Sequence, residues 1–189
     1  MKKITYKIEF HTDWHCGSGL SAGADLDALV VKDNDKLPFV PGKTMKGLVR
    51  EAVEDIMFFN KNQNEESFRK AFGFFDDKEQ KERGEMFFSN AELQKDEREA
   101  IKKGKLQEYL YRDLARTALD DKGIAKEHSL RKIEVVVPCT LEGQIHDVPD
   151  NMVDTIEQAL KYIKRLGVNR NRGLGRCTIT VTNKEGGTK

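Results

Sequence analysis

Residues 2–10, "KKITYKIEF", put Ile4, Tyr6, Ile8 and Phe10 on one side of an extended chain and Lys3, Thr5, Lys7 and Glu9 on the other. That two-residue period predicts a half-buried strand, which needs an apolar layer over one face and partner strands later in the chain. The layer follows from Met45, where Met45, Leu48, Val49, Ala52, Val53, Ile56 and Met57 recur at the three–four spacing of an amphipathic helix. A second helical stripe, Val153, Ile156, Leu160 and Ile163, is expected to run until Gly167, and "RCTITVT" alternates again through Cys177, Ile179 and Val181. Three further strands are expected: "LDALVVKD", ending in the turn "DNDK", then "RKIEVVV" and "TLEGQIHDV", joined tightly at Pro138.

Between residues 60 and 131 the pattern loosens into a short helix around Ser67–Phe72, a turn at "FGFFDD", a strand at "GEMFFSNAEL" and a long charged stretch that reads as an exposed arm or hairpin. With this middle set aside, the order is strand, helix, strand, strand, helix, strand. The fold class is therefore α+β, a ferredoxin-like, modified RNA-recognition-motif fold with an inserted helical region. At 189 residues the chain suits one domain, 1–189, with its core at about 1–58 and 131–183 and inserted material at about 60–130. The tail "NKEGGTK" reads as disordered.

Lysine plus arginine (33) nearly cancels aspartate plus glutamate (32), so total charge says nothing about nucleic acid and the local distribution decides. Cys16, Cys139 and Cys177 are odd in number and outside any CxxC spacing, which argues against a disulfide framework or structural zinc and fits a reducing cytoplasm. The N-terminus has no continuous apolar run, so neither a signal peptide nor a membrane span is expected.

Two glycine-bearing stretches suggest phosphate. "FVPGKTMKGLVR" contains the "GKT" of a nucleotide-binding loop, but Leu37 stands where the first glycine belongs, and Pro38 and Pro41 remove backbone donors from the would-be nest. Nucleotide hydrolysis is rejected. Lys43, Thr44, Lys46 and Arg50 at a helix start remain, and they suit single phosphates on a polymer backbone. "GVNRNRGLGR" follows a helix and enters a strand, the reverse of a dinucleotide fingerprint, with Thr178 in place of the third glycine. Its Arg170, Arg172 and Arg176, with Gly173 and Gly175 and no acid, form a cationic loop that a backbone can approach closely.

In this order and spacing, "HTDWHCGSG", "DLDALVVKDNDKLPFVPGKTMKGLVREAV", "FGFFDD" with "GEMFFSNAEL", and "LGVNRNRGLGRCTITV" resemble the RAMP superfamily of CRISPR-associated proteins. The resemblance is to the repeated backbone subunit of type III (Csm/Cmr-like) effector complexes. It implies a guide RNA (crRNA)-binding subunit that polymerises with further copies of itself as a helical filament. Implied neighbours are a large polymerase-like subunit, a small helical subunit and a guide-handle-binding RAMP subunit. It also implies a thumb hairpin, here placed at Ala115–Leu130, that interrupts the guide–target duplex.

In type III relatives an aspartate just before the second strand cleaves the target RNA at each interruption, which makes Asp27 the expected catalytic residue, with Asp25 the fallback. Asp27 is also the expected ligand of a divalent metal, Mg2+ or Mn2+. A carboxylate there can hold the ion or assist proton transfer from a 2′-hydroxyl, giving a 2′,3′-cyclic phosphate and a 5′-hydroxyl. The guide is expected against His15, Ser18, Lys43, Thr44, Lys46, Arg50, Arg170, Arg172, Gly173, Gly175 and Arg176. Two alternatives stand beside this. One is a non-catalytic structural guide-binding subunit. The other is a guide-processing endoribonuclease using His15 as general acid or base.

Overall fold

The computed structural model describes residues 1–21, 26–60, 65–75, 81–118 and 120–186. In chain order the elements are β1 (Lys2–Phe10), α1 (Gly42–Asn60), α2 (Glu65–Phe72), β2 (Gly73–Phe75), β3 (Lys81–Arg83), β4 (Phe87–Phe88), α3 (Lys95–Gly104), β5 (Tyr111–Arg116), β6 (Arg131–Val136), β7 (Thr140–Val148), α4 (Val153–Tyr162) and β8 (Cys177–Gly186). Short 3-10 turns lie at Gln107–Leu110 and Asp150–Met152.

The alternation of β1 is realised: Ile4, Tyr6, Ile8 and Phe10 are buried, and both edges of the strand are paired. β7 and β8 flank it antiparallel, so Ile8 sits between Leu141 and Ile179, all three on the inner face. β4 adds to the free edge of β7, completing a four-stranded sheet of order β4-β7-β1-β8. α1 and α4 cover its inner face with Met45, Val49 and Val53 and with Ile156 and Leu160. Each such side chain contributes roughly 1.5–3 kcal/mol by leaving water, which fixes the rotation of both helices on the sheet. The connectivity β1-α1-β4-β7-α4-β8 is the ferredoxin-like order.

The strand in the second core position is not the expected one. "RKIEVVV" forms β6, but it pairs with β5 in a separate two-stranded ladder running from Tyr111 opposite Val136 to Arg116 opposite Arg131. Its Val136 exchanges both backbone hydrogen bonds with Trp14, at 3.0 and 2.8 Å, so its apolar end is consumed by the loop after β1. The vacant edge of β7 is taken by Phe87–Phe88, from the region read as inserted, so the sheet crosses the expected boundary between core and insertion. "GEMFFSNAEL" contributes only those two residues as strand, with Ala91 and Glu92 bridging to Val40 and Glu142.

"LDALVVKD" is not a regular strand. Ala28, Val30 and Lys32 bridge three different chain segments, at Ile133, Gly17 and Pro38, so no single partner extends a ladder. The turn after it does form, because Asp33 Oδ1 accepts the N–H groups of Asp35 and Leu37 at 2.8 and 2.9 Å. "FGFFDD" begins as β2, paired with β3, and its Asp76 and Asp77 lie outside the described residues. α4 ends at Tyr162 rather than near Gly167, with Ile163 already extended. In the tail, Asn183–Gly186 continues β8 beside β1, and residues 187–189 lie outside the described residues.

The β5–β6 hairpin is buried at one end and projects at the other. Glu134, Val135 and Val136 are buried, whereas Arg131, Lys132 and almost all of the described connection beyond Arg116 are exposed. The expected thumb, Ala115–Leu130, occupies that projecting end, with Leu119 outside the described residues. Among the described residues no helix is long and apolar enough to cross a membrane.

Candidate nucleic-acid interface

The outer end of the β5–β6 ladder gathers charge from four parts of the chain. Asp27 donates its N–H to the Lys132 carbonyl at 2.8 Å, and its Oδ2 accepts the Lys132 N–H at 2.8 Å. The carboxylate is held by backbone yet remains open to solvent, its side chain 44% exposed, with the Arg131 guanidinium 3.6 Å from Oδ1. Across the ladder from Arg131 lies Arg116, whose Nη2 donates to the Arg172 carbonyl at 3.3 Å. The expected catalytic aspartate and the arginine loop therefore lie on either side of one rung. Asp25 lies outside the described residues.

The segment that carries Asp27 is further anchored by Glu134, an acid in the buried half of β6. Its carboxylate accepts the Val30 N–H at 3.0 Å and the Lys32 ammonium at 2.7 Å, replacing the ladder that the 26–32 segment lacks. Lys32 also lies 3.9 Å from the centre of the Tyr111 ring. On the other side of the hairpin Arg112 Nε donates to the buried Asp13 carboxylate at 2.7 Å.

Arg170, Arg172 and Arg176 are all exposed. The glycines shape the loop more than they open it: Gly167 (φ +95°) and Gly175 (φ +68°) take backbone angles that side chains disfavour. A Cβ on Gly175 would stand 1.8 Å from the Leu166 carbonyl oxygen, and the Gly175 N–H is donated to the Asp13 backbone carbonyl at 2.7 Å. Gly175→Ala is expected to cost about 2 kcal/mol, visible as a lower thermal midpoint and weaker RNA binding together. Gly173 (φ +91°) has open space around its Cα and tolerates alanine better.

The start of α1 is less available than its sequence suggests. Asn90 Oδ1 caps the Gly42 N–H at 3.0 Å, and a Cβ on Gly42 would meet the Phe88 carbonyl oxygen at 2.1 Å. Here glycine serves helix–strand packing. Lys43 is exposed, while Thr44 and Lys46 are half-buried. Arg50 is committed to Glu54 (3.0 Å) and to the face of Phe68 on α2 (5.4 Å to the ring centre). Glu51, 100° further round the helix, meets Arg170 at 3.8 Å. The structure thus joins the arginine loop to Asp27, whereas Lys46 and Arg50 follow a different flank of α1.

His15, expected against the guide, is buried. It is 1% exposed, with Nδ1 2.6 Å from the Glu134 carbonyl oxygen, and its own carbonyl accepts the Val168 N–H at 2.8 Å. It ties the loop after β1 to the hairpin and to the glycine loop, so it does not present an imidazole to RNA. Ser18 is likewise occupied, donating to the Leu29 carbonyl at 3.0 Å and accepting the Leu20 N–H. The three cysteines are free, and burial pushes their thiols up to about 12, 12 and 11 for Cys16, Cys139 and Cys177, so none supplies a thiolate near neutral pH.

Among the described residues the donor set around Asp27 is one carboxylate with an arginine already beside it, which does not by itself fit a resident divalent ion. Among the described residues no three His, Cys, Asp or Glu side chains converge to hold a metal. Hard divalent cations take six or more oxygen ligands, so any Mg2+ or Mn2+ there would be held mainly by phosphate and water.

Sequence reasoning missed Arg112, Arg116, Arg131, Lys132, Asp13 and Glu134. The one available signal was Glu134 itself, a lone acid inside the apolar run of "KIEVVV", which demands a buried partner.

No curated protein matches the chain. Among solved structures, a chain of Type III-B Cmr-beta bound to cognate target RNA superposes with a TM-score of 0.71 at 11% identity, covering 95% of this chain and 96% of that one. A chain of Type III-B Cmr-beta in the apo state superposes with a TM-score of 0.70 at 12% identity, with the same coverage. At such identity these likenesses concern the fold. A sequence model of the RAMP superfamily matches residues 7–178, nearly the whole of the ferredoxin-like core and its projecting hairpin, and the chain belongs to that superfamily.

Proposed function

We propose that this chain is a guide RNA-binding backbone subunit of a type III CRISPR ribonucleoprotein effector complex in the cytoplasm, and that it cleaves complementary target RNA at Asp27. The observation that carries this is the run Arg172–Arg116–Arg131–Asp27, which sets an exposed carboxylate beside the exposed Arg131 and Arg172 and the half-buried Arg116 at the projecting end of a hairpin. Cations on two backbones seat phosphates without reading bases, and specificity is then left to guide–target pairing. The fold likeness to a Cmr-beta chain solved with target RNA supports the same reading. Its partners on this reading are crRNA, target RNA, further copies of the chain in a helical filament, and the large polymerase-like, small helical and guide-handle-binding subunits. On this reading Mg2+ or Mn2+ enters with the RNA, held mainly by its phosphates and by water.

Guide binding is expected to weaken steeply with salt, because each neutralised phosphate on a single strand contributes a slope of about 0.7 in log K against log salt. Replacing Arg170, Arg172 and Arg176 together by alanine removes three such contacts and lowers the slope by about 2. Titration of labelled guide RNA at several salt concentrations measures it, and an unchanged slope would overturn the proposed interface. The burial of His15 gives no support to guide processing through its ring.

A further inference from the structure

Arg116 and Arg131 are direct cross-strand partners, and Lys132 follows on the next rung opposite Ala115. Opposed residues project from the same face with Cβ atoms about 5 Å apart, and like charges so placed destabilise a ladder. Asp27 offsets one of the two guanidinium charges. Arg116 donates to a neutral carbonyl, that of Arg172, which leaves its charge uncompensated by that bond. Arg131 is 69% exposed, so its planar fork is free to turn toward a ligand. Folding gains from the side chains of this rung only one exposed ion pair and one hydrogen bond to a neutral carbonyl, and an anion lying across it gains two charge-assisted hydrogen-bonding forks.

We propose that the Arg116–Arg131 rung is the seat of the scissile phosphodiester of the target RNA, with its two guanidinium groups on the non-bridging oxygens and Asp27 facing the adjacent 2′-hydroxyl. This rests on the reading that the chain cleaves RNA at Asp27. In the step, the O2′–P bond forms and the P–O5′ bond breaks. The 2′ proton passes to the Asp27 carboxylate and the departing 5′ oxygen takes a proton from water. Asp27 then returns its proton to solvent, so the net change is a proton moved from O2′ to O5′. Negative charge grows on the non-bridging oxygens as the fifth bond to phosphorus forms, and the paired arginines stabilise it where it develops.

The test uses Arg116→Ala, Arg131→Ala, Arg131→Lys and Asp27→Asn in the full chain, assembled with guide RNA and its companion subunits and given complementary RNA under single-turnover conditions. Each alanine variant is expected to cut about 10²-fold more slowly or worse, as for loss of one oxyanion donor. Arg131→Lys should recover part of the rate. The thermal midpoint of both alanine variants should stay level or rise, because a like-charge pair has been removed; slower cleavage with a fallen midpoint would mark a structural role and overturn the proposal. If Asp27→Asn is inactive while Arg131→Ala cuts at the wild-type rate, the phosphate seat is wrong and the Asp27 reading stands. If Asp27→Asn cuts normally, the cleavage reading fails, and salt titration of a 2′-deoxy-substituted target decides the seat. A shallower slope in the alanine variants upholds it and an unchanged slope overturns it.

Discussion

Asp27→Ala is expected to abolish cutting of complementary RNA while leaving the folded chain and its RNA binding intact. A positioned proton acceptor contributes roughly 10²–10⁴-fold, and a loss of that size removes regular cleavage from any gel time course. The expectation of an undamaged fold comes from the way the residue is held: the Asp27 N–H bond to the Lys132 carbonyl belongs to the backbone and survives any side chain. Its ion pair with Arg131 is solvent-exposed, and such pairs contribute roughly 0–1 kcal/mol. Asp27→Asn is the sharper variant, since its amide oxygen still accepts the Lys132 N–H and only the charge is lost. Products of the active protein should carry 2′,3′-cyclic phosphate and 5′-hydroxyl ends. Cleavage by the asparagine variant at the wild-type rate would remove Asp27 from the chemistry and leave a purely structural guide-binding subunit.

The elements legible in the sequence are those whose partners are set by a period. β1, α1, α4 and β8 each carry a regular apolar face, and one sheet covered by two helices is the arrangement that buries all of them. What a period does not state is which strand pairs with which. "RKIEVVV" is strand-like, but its membership in the hairpin rather than the main sheet is decided by Trp14, more than a hundred residues away, taking both backbone bonds of Val136. The end of α4 was misread because Ile163 stays buried after leaving the helix, so the stripe looks unbroken. His15 illustrates the same limit for the site. Its residue type suits a catalytic or a buried role, and the Glu134 carbonyl that decides between them lies 119 residues further along the chain. The arginine loop was legible because three cations and no acid within one turn remain solvent-exposed in most folds, whereas the Arg116–Arg131 rung exists only once β5 and β6 are paired.

Glu134→Ala is expected to be among the most destabilising single changes in the chain, because it removes two anchors of the 26–32 segment at once. The buried carboxylate satisfies the Val30 N–H and the Lys32 ammonium, and both lose that acceptor on truncation. Breaking a buried pair from one side costs about 3–5 kcal/mol. Lys32 keeps 31% of its side-chain surface, so water recovers part of the loss and about 3 kcal/mol is the reasonable figure. For a domain of this size that is a fall of roughly 6–12 °C in thermal midpoint. Glu134→Gln separates the two contributions: its amide oxygen still accepts the Val30 N–H, so about half the loss should return. The functional consequence follows from topology. Residues 28–32 are the tether that keeps Asp27 against Lys132, so Glu134→Ala should also slow RNA cleavage below the melting transition, where the core remains folded. Hydrogen exchange at the Val30 amide gives the direct measurement. Protection equal to wild type in the alanine variant would show that the bridges of Ala28 and Lys32 hold the tether without the acid.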